Sequence, residues 1–288
     1  MSPRIDTTAM ILAAGLGTRL KALTQDKPKA LVELNGKPLL QHCIENLIAN
    51  GFHHIVINVH HFGEQIIDFV EHHQFDADIE ISDERDLLMD TGGGIVKATP
   101  LFKNSKAVLV HNVDIISNVN LGEMSRQFLA SGDDAWLLTQ DRETNRKLLF
   151  RDDQQLIGWR NKADGSFKWV FPEKDGPSTP STSSGTEGSG TCNYHEMAFS
   201  GLHFFRSDLF AEFEVKRSSV IDLYLYLAKT KRILSKPIQP DYWFDLGKPE
   251  QLQAAENYLK TSPCHFEDFE GIDTLAFKAR YDMPSKSE

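Results

Sequence analysis

Apolar runs alternate with helical periodicity along the first half of the chain. The continuous apolar run Ala9–Ala13 ends at Gly15, as expected for a buried parallel strand that opens into a loop. After Pro38, apolar residues recur at helical spacing until Gly51 supplies a C-terminal stop. The alternation continues through strands Ile55–Val59, Ile79–Ser82 and Ala107–Asn112, and through helices Glu64–Glu71, one after Gly92–Gly94, and Leu121–Ser131. This order predicts an α/β fold with a doubly wound, mostly parallel sheet.

The apolar segments that come next lack helical patterns between them. They predict a small antiparallel lobe built from Ala135–Thr139, Leu148–Arg151, Leu156–Trp159 and Lys168–Phe171. Beyond the lobe, the pattern predicts strand Ala198–Phe205, a helix near Val220–Lys229, strand Tyr242–Asp245 and a closing helix from Pro249 to about Tyr258.

One segment interrupts this pattern. In Pro172–Thr191, 16 of 20 residues are Gly, Pro, Ser or Thr, so it buries too little apolar surface to order itself. We predict a disordered insertion at 172–191 within one domain of residues 1–262, followed by a polar C-terminal tail at 263–288. No hexapeptide repeat occurs, so no C-terminal β-helix is expected.

Charge and cysteine content narrow the class of protein. The formal net charge is −10, which disfavours nucleic acid and anionic membranes as partners. No signal peptide or membrane-length apolar run is apparent, and the three cysteines show no CxxC spacing. These features predict a cytoplasmic protein without a disulfide framework. The adjacent histidine pairs lack the spacing of metal ligands.

The loop after the first strand carries the strongest chemical signal. Gly15 and Gly17 allow the backbone to approach a phosphate closely, and Arg19 and Lys29 bring positive charge to the same loop. The third glycine of a dinucleotide site is replaced by Leu20, and the terminal Gly-Lys-Ser/Thr of a P-loop is absent. The pattern therefore favours a triphosphate in a loop of another kind.

Five segments together resemble the sugar-phosphate nucleotidyltransferase family. Gly-x-Gly-Thr-Arg-Leu is followed about nine residues later by Pro28-Lys29, and the resemblance covers roughly residues 8 to 260. The four further segments are Thr91–Ile95, Val110–Asp114, Phe199–Gly201 and Trp243–Pro249. Within the family, Thr91–Ala98 is most similar to the N-acetylmuramate 1-phosphate uridylyltransferases of cell-wall recycling. The mannose 1-phosphate guanylyltransferases are close behind.

The resemblance implies a Rossmann-like fold, a reaction and a set of site residues. An NTP, with UTP expected, and a sugar 1-phosphate would form a nucleoside-diphosphate sugar and pyrophosphate, with Mg²⁺ held by Asp114 and Asp245. Arg19 and Lys29 would be catalytic. Nucleotide contacts would come from Ala14, Gly15, Gly17, Thr18, Glu84, Gly92 and Gly93, and sugar-phosphate contacts from Asn112, Gly201 and Lys162. A glutamate at position 84 suits uracil and guanine equally. The oligomeric state stays open.

Three features depart from the family pattern. Val113 stands where the family has glycine, which adds bulk and removes conformational freedom. Ala22 and Ala30 replace prolines in the loop, and Lys162 is the nearest counterpart of the lysine in the usual Glu-Lys pair. Neither alanine removes a charge.

Other interpretations of the same residues stay open. Asp245 is also suited to cap the following helix, and Asp114 to end a strand at a turn. A glycosyltransferase on a related sheet would need an Asp-x-Asp motif, whereas Ile115 and Ile116 follow Asp114. A non-catalytic sensor of nucleotide or sugar phosphate would keep the fold and tolerate the Val113 and Ala30 departures.

Overall fold

A computed structural model describes residues 5–102, 104–171 and 194–261 of the chain. The predicted insertion at 172–191 and the predicted tail at 263–288 lie outside these residues. In the described first half, the strands are β1 Thr7–Leu12, β2 Glu33–Leu34, β3 Lys37–Pro38, β4 His54–Val59, β5 Asp78–Asp83, β6 Ala107–Asn112 and β7 Ile115–Ser117. The second half contributes β8 Ala135–Gln140, β9 Arg146–Phe150, β10 Leu156–Asn161, β11 Phe167–Trp169, β12 His195–Arg206, β13 Ile233–Pro237 and β14 Trp243–Asp245.

The helices begin and end where capping chemistry allows. For example, the Asn120 side chain accepts a 2.9 Å hydrogen bond from the backbone N–H of Glu123, and Gly132, with φ of 77°, ends the same helix. The α-helices are α1 Leu39–Ala49, α2 Gly63–His72, α3 Asp90–Ala98, α4 Leu121–Ser131, α5 Val220–Leu227 and α6 Pro249–Thr261. Short 3₁₀ turns cover Thr18–Thr24, Lys29–Leu31 and Thr99–Leu101.

A ten-stranded sheet organises the described residues. Its parallel part has the order β6-β1-β4-β5, and β12 then joins antiparallel to β6. Alternate residues of β1 face opposite layers: Ala9 and Ile11 lie in one buried cluster, whereas Met10 lies in the other. Helices therefore cover both faces of the parallel strands, and the predicted α/β fold with a largely parallel sheet is confirmed.

The predicted antiparallel lobe is wrong in one strand. β10 pairs antiparallel with β11 and with β9, and β9 pairs antiparallel with the first residues of β12. β8, by contrast, lies in the main sheet between β12 and β13, and its pairing with β13 is parallel. The twelve-residue β12 links the two regions. A strand of this length pairs with the lobe at one end and with the main sheet at the other, which local patterning does not reveal.

The glycines of Gly92–Gly94 lie inside α3 and not before it, which corrects the predicted start of that helix. Their side-chain-free face lets other backbone segments approach closely. Within the described residues, none of the helices has the length and apolarity needed to cross a membrane.

Candidate active site

A cavity of about 420 Å³ opens at the carboxyl ends of β1 and β6. Its wall includes the loop after β1, Lys29, and the residues that follow β6. Open α/β sheets place their ligands at this edge because loops and helix starts converge there. Among the predicted site residues, those that line the cavity are Ala14, Gly15, Gly17, Thr18, Arg19, Lys29, Asn112 and Asp114.

Asn58 at the end of β4 holds the first part of the loop. Its side-chain oxygen accepts hydrogen bonds from the backbone N–H of Ala13 at 2.8 Å and of Ala14 at 3.4 Å. Its side-chain NH₂ donates to Glu84 Oε1 at 2.7 Å. Asn58 is buried and lines the cavity, yet sequence reasoning missed it, because a polar residue within an apolar strand gives no sign of its partners.

The two loop glycines differ in their surroundings. No heavy atom lies within 4 Å of the place where a side chain on Gly15 would begin, so this position faces open space. Gly17 has a φ of 65°, and an added Cβ there would lie 3.0 Å from Thr24 Cγ2. The Thr24 hydroxyl also donates to the Gly17 carbonyl at 3.0 Å. Gly17 thus supplies the left-handed turn that leads into the 3₁₀ turn beginning at Thr18.

Lys29 and Asp114 form an ion pair in the cavity wall. Their side chains are only 10% and 15% exposed, respectively. Charges shielded from solvent interact more strongly than exposed ones. The ion pair therefore holds the Lys29 ammonium beside the Asp114 carboxylate. The ion pair brings the lysine of the first loop to the end of β6, 85 positions later in the chain.

Asp245 reaches the same place through a two-stranded ribbon. β14 pairs antiparallel with β7, which sets Asp245 opposite Ile115, and the N–H of Leu246 donates to the Asp114 carbonyl at 2.8 Å. β7 and β14 form a separate ribbon beside the main sheet, so the ribbon and not an edge of the main sheet brings Asp245 near Asp114. Asp245 itself is not among the residues that line the cavity.

The Asp245 carboxylate does not cap α6 directly. Its Oδ1 accepts a 3.0 Å hydrogen bond from the N–H of Gly247, two residues before α6 begins at Pro249. A Cβ on Gly247 would lie 2.7 Å from Arg19 Nη2 and 2.9 Å from Asp245 Oδ1. Gly247 therefore permits the guanidinium of Arg19 to approach the Asp245 turn, and it lines the cavity itself.

Gly201 makes room for Asn112 on the sugar-phosphate side of the predicted site. Gly201 has a φ of 81° and lies where the pairing of β12 with β8 shifts register. A Cβ at this position would lie 2.8 Å from Asn112 Nδ2. Asn112 lines the cavity, and the lack of a side chain on Gly201 leaves space for the Asn112 side chain.

Val113 fits without strain in place of the family glycine. It is buried, packs in the cluster that contains Leu109 and Ile115, and its φ is not positive. Its N–H donates to the Leu12 carbonyl at 3.3 Å. The conformational freedom of a glycine is therefore not needed at this position.

The structure does not bring Gly92, Gly93 or Glu84 into the cavity wall. The N–H groups of Gly92 and Gly93 donate to the Ser218 carbonyl at 2.8 and 3.1 Å. The N–H groups of both glycines are therefore satisfied within the protein, and the role of the two glycines as nucleotide contacts stays a prediction. Thr91 and Asp90, immediately before them, do line the cavity, as does Arg217 beside Ser218. Arg217 carried no motif and was missed.

Glu84 is fully buried behind the loop. Its carboxylate accepts hydrogen bonds from Asn58 Nδ2 at 2.7 Å and from the N–H of Met89 at 3.2 Å. Burial raises the pKa of Glu84, and the hydrogen bond from Asn58 opposes that shift. The predicted direct contact with the base is not available in this geometry, because the side chain is enclosed. Glu84 instead holds Asn58, which holds the loop.

Lys162 contacts a glutamate that the motif did not predict. Lys162 Nζ lies 3.2 Å from Glu196 Oε2, and Arg160 Nη1 lies 2.8 Å from Glu196 Oε1. Burial would raise the pKa of Glu196, but the hydrogen bonds from Arg160 and Lys162 lower it overall. A glutamate-lysine pair is thus formed between β12 and the end of β10, outside the residues that line the cavity.

A buried cysteine and histidine lie beneath Asp114. Burial lowers the pKa of His111 to about 4, and Nδ1 donates to the Asn112 carbonyl at 2.9 Å. Burial also raises the pKa of the Cys43 thiol. A neutral thiol without solvent access is a poor nucleophile, so covalent cysteine chemistry is not favoured here.

Comparisons with known proteins agree with this arrangement. The family model described as Nucleotidyl transferase matches residues 8–148. The chain is 31% identical over 263 residues to the N-acetylmuramate alpha-1-phosphate uridylyltransferase of Caulobacter vibrioides, which covers 87% of this chain and 96% of that relative. It is 28% identical to the UTP–glucose-1-phosphate uridylyltransferase AglF of Haloferax volcanii, over 88% and 96% of the two chains.

A solved structure of HddC from Yersinia pseudotuberculosis, complexed with GMP-PN, has a TM-score of 0.66. It is 20% identical and covers 88% of this chain and 99% of its own, which is a likeness of fold. The match to the Caulobacter relative extends over nearly that whole protein. The chain therefore belongs to the family of sugar-phosphate nucleotidyltransferases.

Proposed function

We propose that the protein transfers UMP from UTP to N-acetylmuramate 1-phosphate or a similar N-acetylated hexose 1-phosphate, with release of pyrophosphate. The observation that carries this proposal is the similarity to the Caulobacter uridylyltransferase over 96% of that relative's length. A second uridylyltransferase matches over a comparable span. Relatives that use guanine nucleotides also match, over 45% and 84% of this chain, so the base is the point that the experiment must decide.

The reaction asks for positioning and charge neutralisation more than for acid–base chemistry. The second pKa of a phosphate monoester is about 6, so the attacking oxygen of the sugar 1-phosphate is mostly ionised at neutral pH. It can then attack the α-phosphorus of the NTP without a general base. The cavity offers Lys29 and Arg19 as cations for the phosphates. In this proposal, Lys29 neutralises the transferred phosphoryl group and Arg19 the departing pyrophosphate.

Asp114 and Asp245 would hold Mg²⁺. The donor set fits, because Mg²⁺ prefers hard carboxylate oxygens and completes its shell with phosphate oxygens and waters. The hydrogen bond between Leu246 and Asp114 supports the fit, since it holds the end of β14, where Asp245 lies, beside the turn that carries Asp114. When bound, the ion withdraws negative charge from the phosphate oxygens. Arg19 approaches the Asp245 turn at Gly247, which supplies further positive charge there.

The loop after β1 would receive the triphosphate and the nucleoside. Asn58 already engages the N–H groups of Ala13 and Ala14, so the segment that begins at Gly15 is the part that faces open space. Backbone N–H groups in such a loop bind anions without a side chain. Asn112, supported by Gly201, lies on the other side of the same cavity and would contact the sugar phosphate.

A matrix of substrates tests the proposal. UTP and GTP are each mixed with N-acetylmuramate, glucose and mannose 1-phosphates in the presence of Mg²⁺, and pyrophosphate release is followed. We expect the highest kcat/KM for UTP with an N-acetylated hexose 1-phosphate. A higher kcat/KM for GTP than for UTP would contradict the assignment of the base. Binding of nucleotide without pyrophosphate release from any pair would instead indicate a sensor.

A further inference from the structure

Arg142, in the loop between β8 and β9, carries a partly buried charge that has no ion-pair partner among the described residues. Its Nη2 donates to the Phe199 carbonyl at 3.0 Å, and its Cζ lies 4.5 Å from the centre of the Trp243 ring. Nε is shielded from solvent and has no hydrogen-bond partner among the described residues. Within the part of the chain that the structure describes, no carboxylate oxygen forms an ion pair with Arg142 within 4.0 Å.

Such an arrangement is costly unless something compensates it. Burial lowers the pKa of Arg142, and the nearby Asp245 carboxylate opposes that shift without forming an ion pair. A desolvated guanidinium that keeps an unpaired N–H loses hydration and regains only part of it from a carbonyl and a ring. Its neighbours Arg160 and Lys162 differ, because both contact Glu196. Unlike Arg160 and Lys162, Arg142 therefore has no carboxylate partner among the described residues and is available to an outside anion.

Both residues that contact the Arg142 guanidinium lie close in sequence to residues of the proposed site. Phe199 comes two residues before Gly201, which supports Asn112 in the cavity wall. Trp243 comes two residues before Asp245, on the ribbon that reaches Asp114. The guanidinium thus lies near Asp245, beside the proposed site, and is not itself among the residues that line the cavity.

The contacts around Arg142 also fix it before any ligand binds. The Trp243 indole N–H donates to the Ser200 carbonyl at 3.1 Å, which orients the ring beneath the guanidinium. Lys147, only 4% exposed, donates from Nζ to the Arg142 carbonyl at 2.7 Å. A side chain ordered in advance loses little freedom on binding.

We propose that Arg142 is a specificity-determining residue that binds a carboxylate on the sugar ring of an acidic sugar 1-phosphate. This inference rests on the proposed function and names the class of sugar. A planar guanidinium matches a carboxylate with paired hydrogen bonds, and stacking on Trp243 keeps its plane fixed. Lys29 and Arg19 in the cavity wall are available for the phosphates. A neutral sugar would leave Arg142 without an ion-pair partner, whereas the lactyl carboxylate of N-acetylmuramate would supply one.

The test compares two sugars that differ only in the lactyl group, which carries the carboxylate. N-acetylmuramate 1-phosphate carries the lactyl carboxylate, and N-acetylglucosamine 1-phosphate lacks it. We expect Arg142→Gln to lower kcat/KM for the carboxylated sugar on the order of 10- to 100-fold, the size of a charge-assisted hydrogen bond. The other sugar should change by less than about threefold. Arg142→Lys should recover part of the preference, because it keeps the charge and loses the fork.

The control is Arg151→Gln, which removes the same charge from an exposed turn beyond the other end of β9, where Arg151 pairs with Asp153. It should leave the ratio of the two kcat/KM values unchanged. Equal losses for both sugars in Arg142→Gln would overturn the inference, since Arg142 would then act on Asp245 or on folding. A wild-type enzyme that does not prefer the carboxylated sugar would overturn it as well.

Binding without turnover separates this inference from the proposed function. If no sugar 1-phosphate releases pyrophosphate, the proposed reaction fails. Titration of each sugar 1-phosphate by calorimetry still tests Arg142 in the wild type and in Arg142→Gln. Selective weakening for the carboxylated sugar in Arg142→Gln supports the carboxylate site, and equal affinities of wild type and variant overturn it.

Discussion

Gly15–Gly17 and Gly92–Gly94 look alike in the sequence, but their glycines serve different ends. Gly15 faces open space in the cavity wall, with no heavy atom within 4 Å of an added Cβ. In α3, by contrast, a Cβ on Gly93 would lie 2.3 Å from the Lys216 carbonyl oxygen, and one on Gly94 would lie 2.6 Å from Glu84 Oε1. One segment leaves room for a ligand, whereas the other leaves room for the protein itself.

The difference teaches that glycine-rich composition signals a close approach without saying of what. A ligand-facing loop must keep backbone groups accessible, which exposes it to solvent. A packing helix must bring two backbones together, and its amides are then satisfied internally, as those of Gly92 and Gly93 are by Ser218. The packing segment nevertheless serves the site, because it positions Asp90, Thr91 and Arg217 in the cavity wall.

The largest expected effect concerns Lys29, which borders the open segment. Lys29→Ala should lower kcat on the order of 10²–10³, the usual cost of losing one preorganised group that stabilises developing charge. Because Lys29 is buried and paired with Asp114, the variant should also lose stability, so rates are measured well below its unfolding temperature. Lys106→Ala, which removes a highly exposed lysine, is the control. A Lys29→Ala rate within about threefold of wild type would place this lysine outside the chemistry.

The next effect tests whether the ribbon makes one metal site from two strands. Asp114→Asn and Asp245→Asn each keep size but remove a charge, so each should raise the Mg²⁺ concentration at half-maximal rate about tenfold or more. The double variant should be little worse than the worse single variant, since residues that act as a unit are not additive. Initial rates are titrated with Mg²⁺, and Asp241→Asn, an exposed aspartate near the same ribbon, is the control. Unchanged midpoints in both single variants would remove the metal assignment.

A matched pair of substitutions addresses the two glycine segments directly. Gly93→Ala should cost about 1 to 3 kcal/mol in the free energy of unfolding, because a backbone carbonyl cannot yield as a flexible side chain does. Gly15→Ala should change stability by less than about 0.5 kcal/mol, since it meets no atom, yet should raise KM for the NTP. Urea unfolding and initial rates measure both. The opposite pattern, with Gly15→Ala unstable and Gly93→Ala silent, would refute the comparison.

The smallest effect concerns Glu84, which lies between the two segments. Burial raises the folded-state pKa of Glu84 above its unfolded value, so the folded protein holds this proton more tightly. Its stability contribution is therefore greatest below the unfolded pKa and declines as pH rises through the folded pKa. Glu84→Gln removes that titration, so the difference in urea midpoint between wild type and variant should change over this pH window. A difference that stays constant across the window would show that Glu84 does not titrate as its burial requires.

Much of the fold was predictable because its signals are local. The residues of β6 and α4 occur at the predicted positions, since a bounded apolar run and a capped amphipathic helix each depend on neighbours in the chain. β7, which has only three residues and so no periodicity, was missed, as was β13, whereas β14 was predicted as the strand Tyr242–Asp245. The placement of β8 failed because it depends on β12, which follows it by more than fifty residues.

The residues of the candidate site also fall into two groups, those that the sequence predicted and those that it did not. The loop after β1 and its two cations were apparent from spacing, because glycine and charge within one short segment restrict what that segment can bind. Asn58, Glu196 and Arg142 gave no signal of their own. Each acquires its role from a partner more than thirty positions away: the loop amides for Asn58, Arg160 for Glu196, and Phe199 for Arg142.

The order of strands and helices, the family and the chemistry of the first loop follow from the order of residues alone, since backbone preferences and hydrophobic spacing act over a few residues. Tertiary structure decided which polar groups were left for a ligand. Gly92, Gly93 and Glu84 found protein partners in Ser218, Asn58 and Met89, whereas Gly15 faces open space and Arg142 Nε has no partner among the described residues. A hydrogen-bonding group can satisfy only a few partners, and whether those partners lie within the protein depends on contacts that only the folded chain creates.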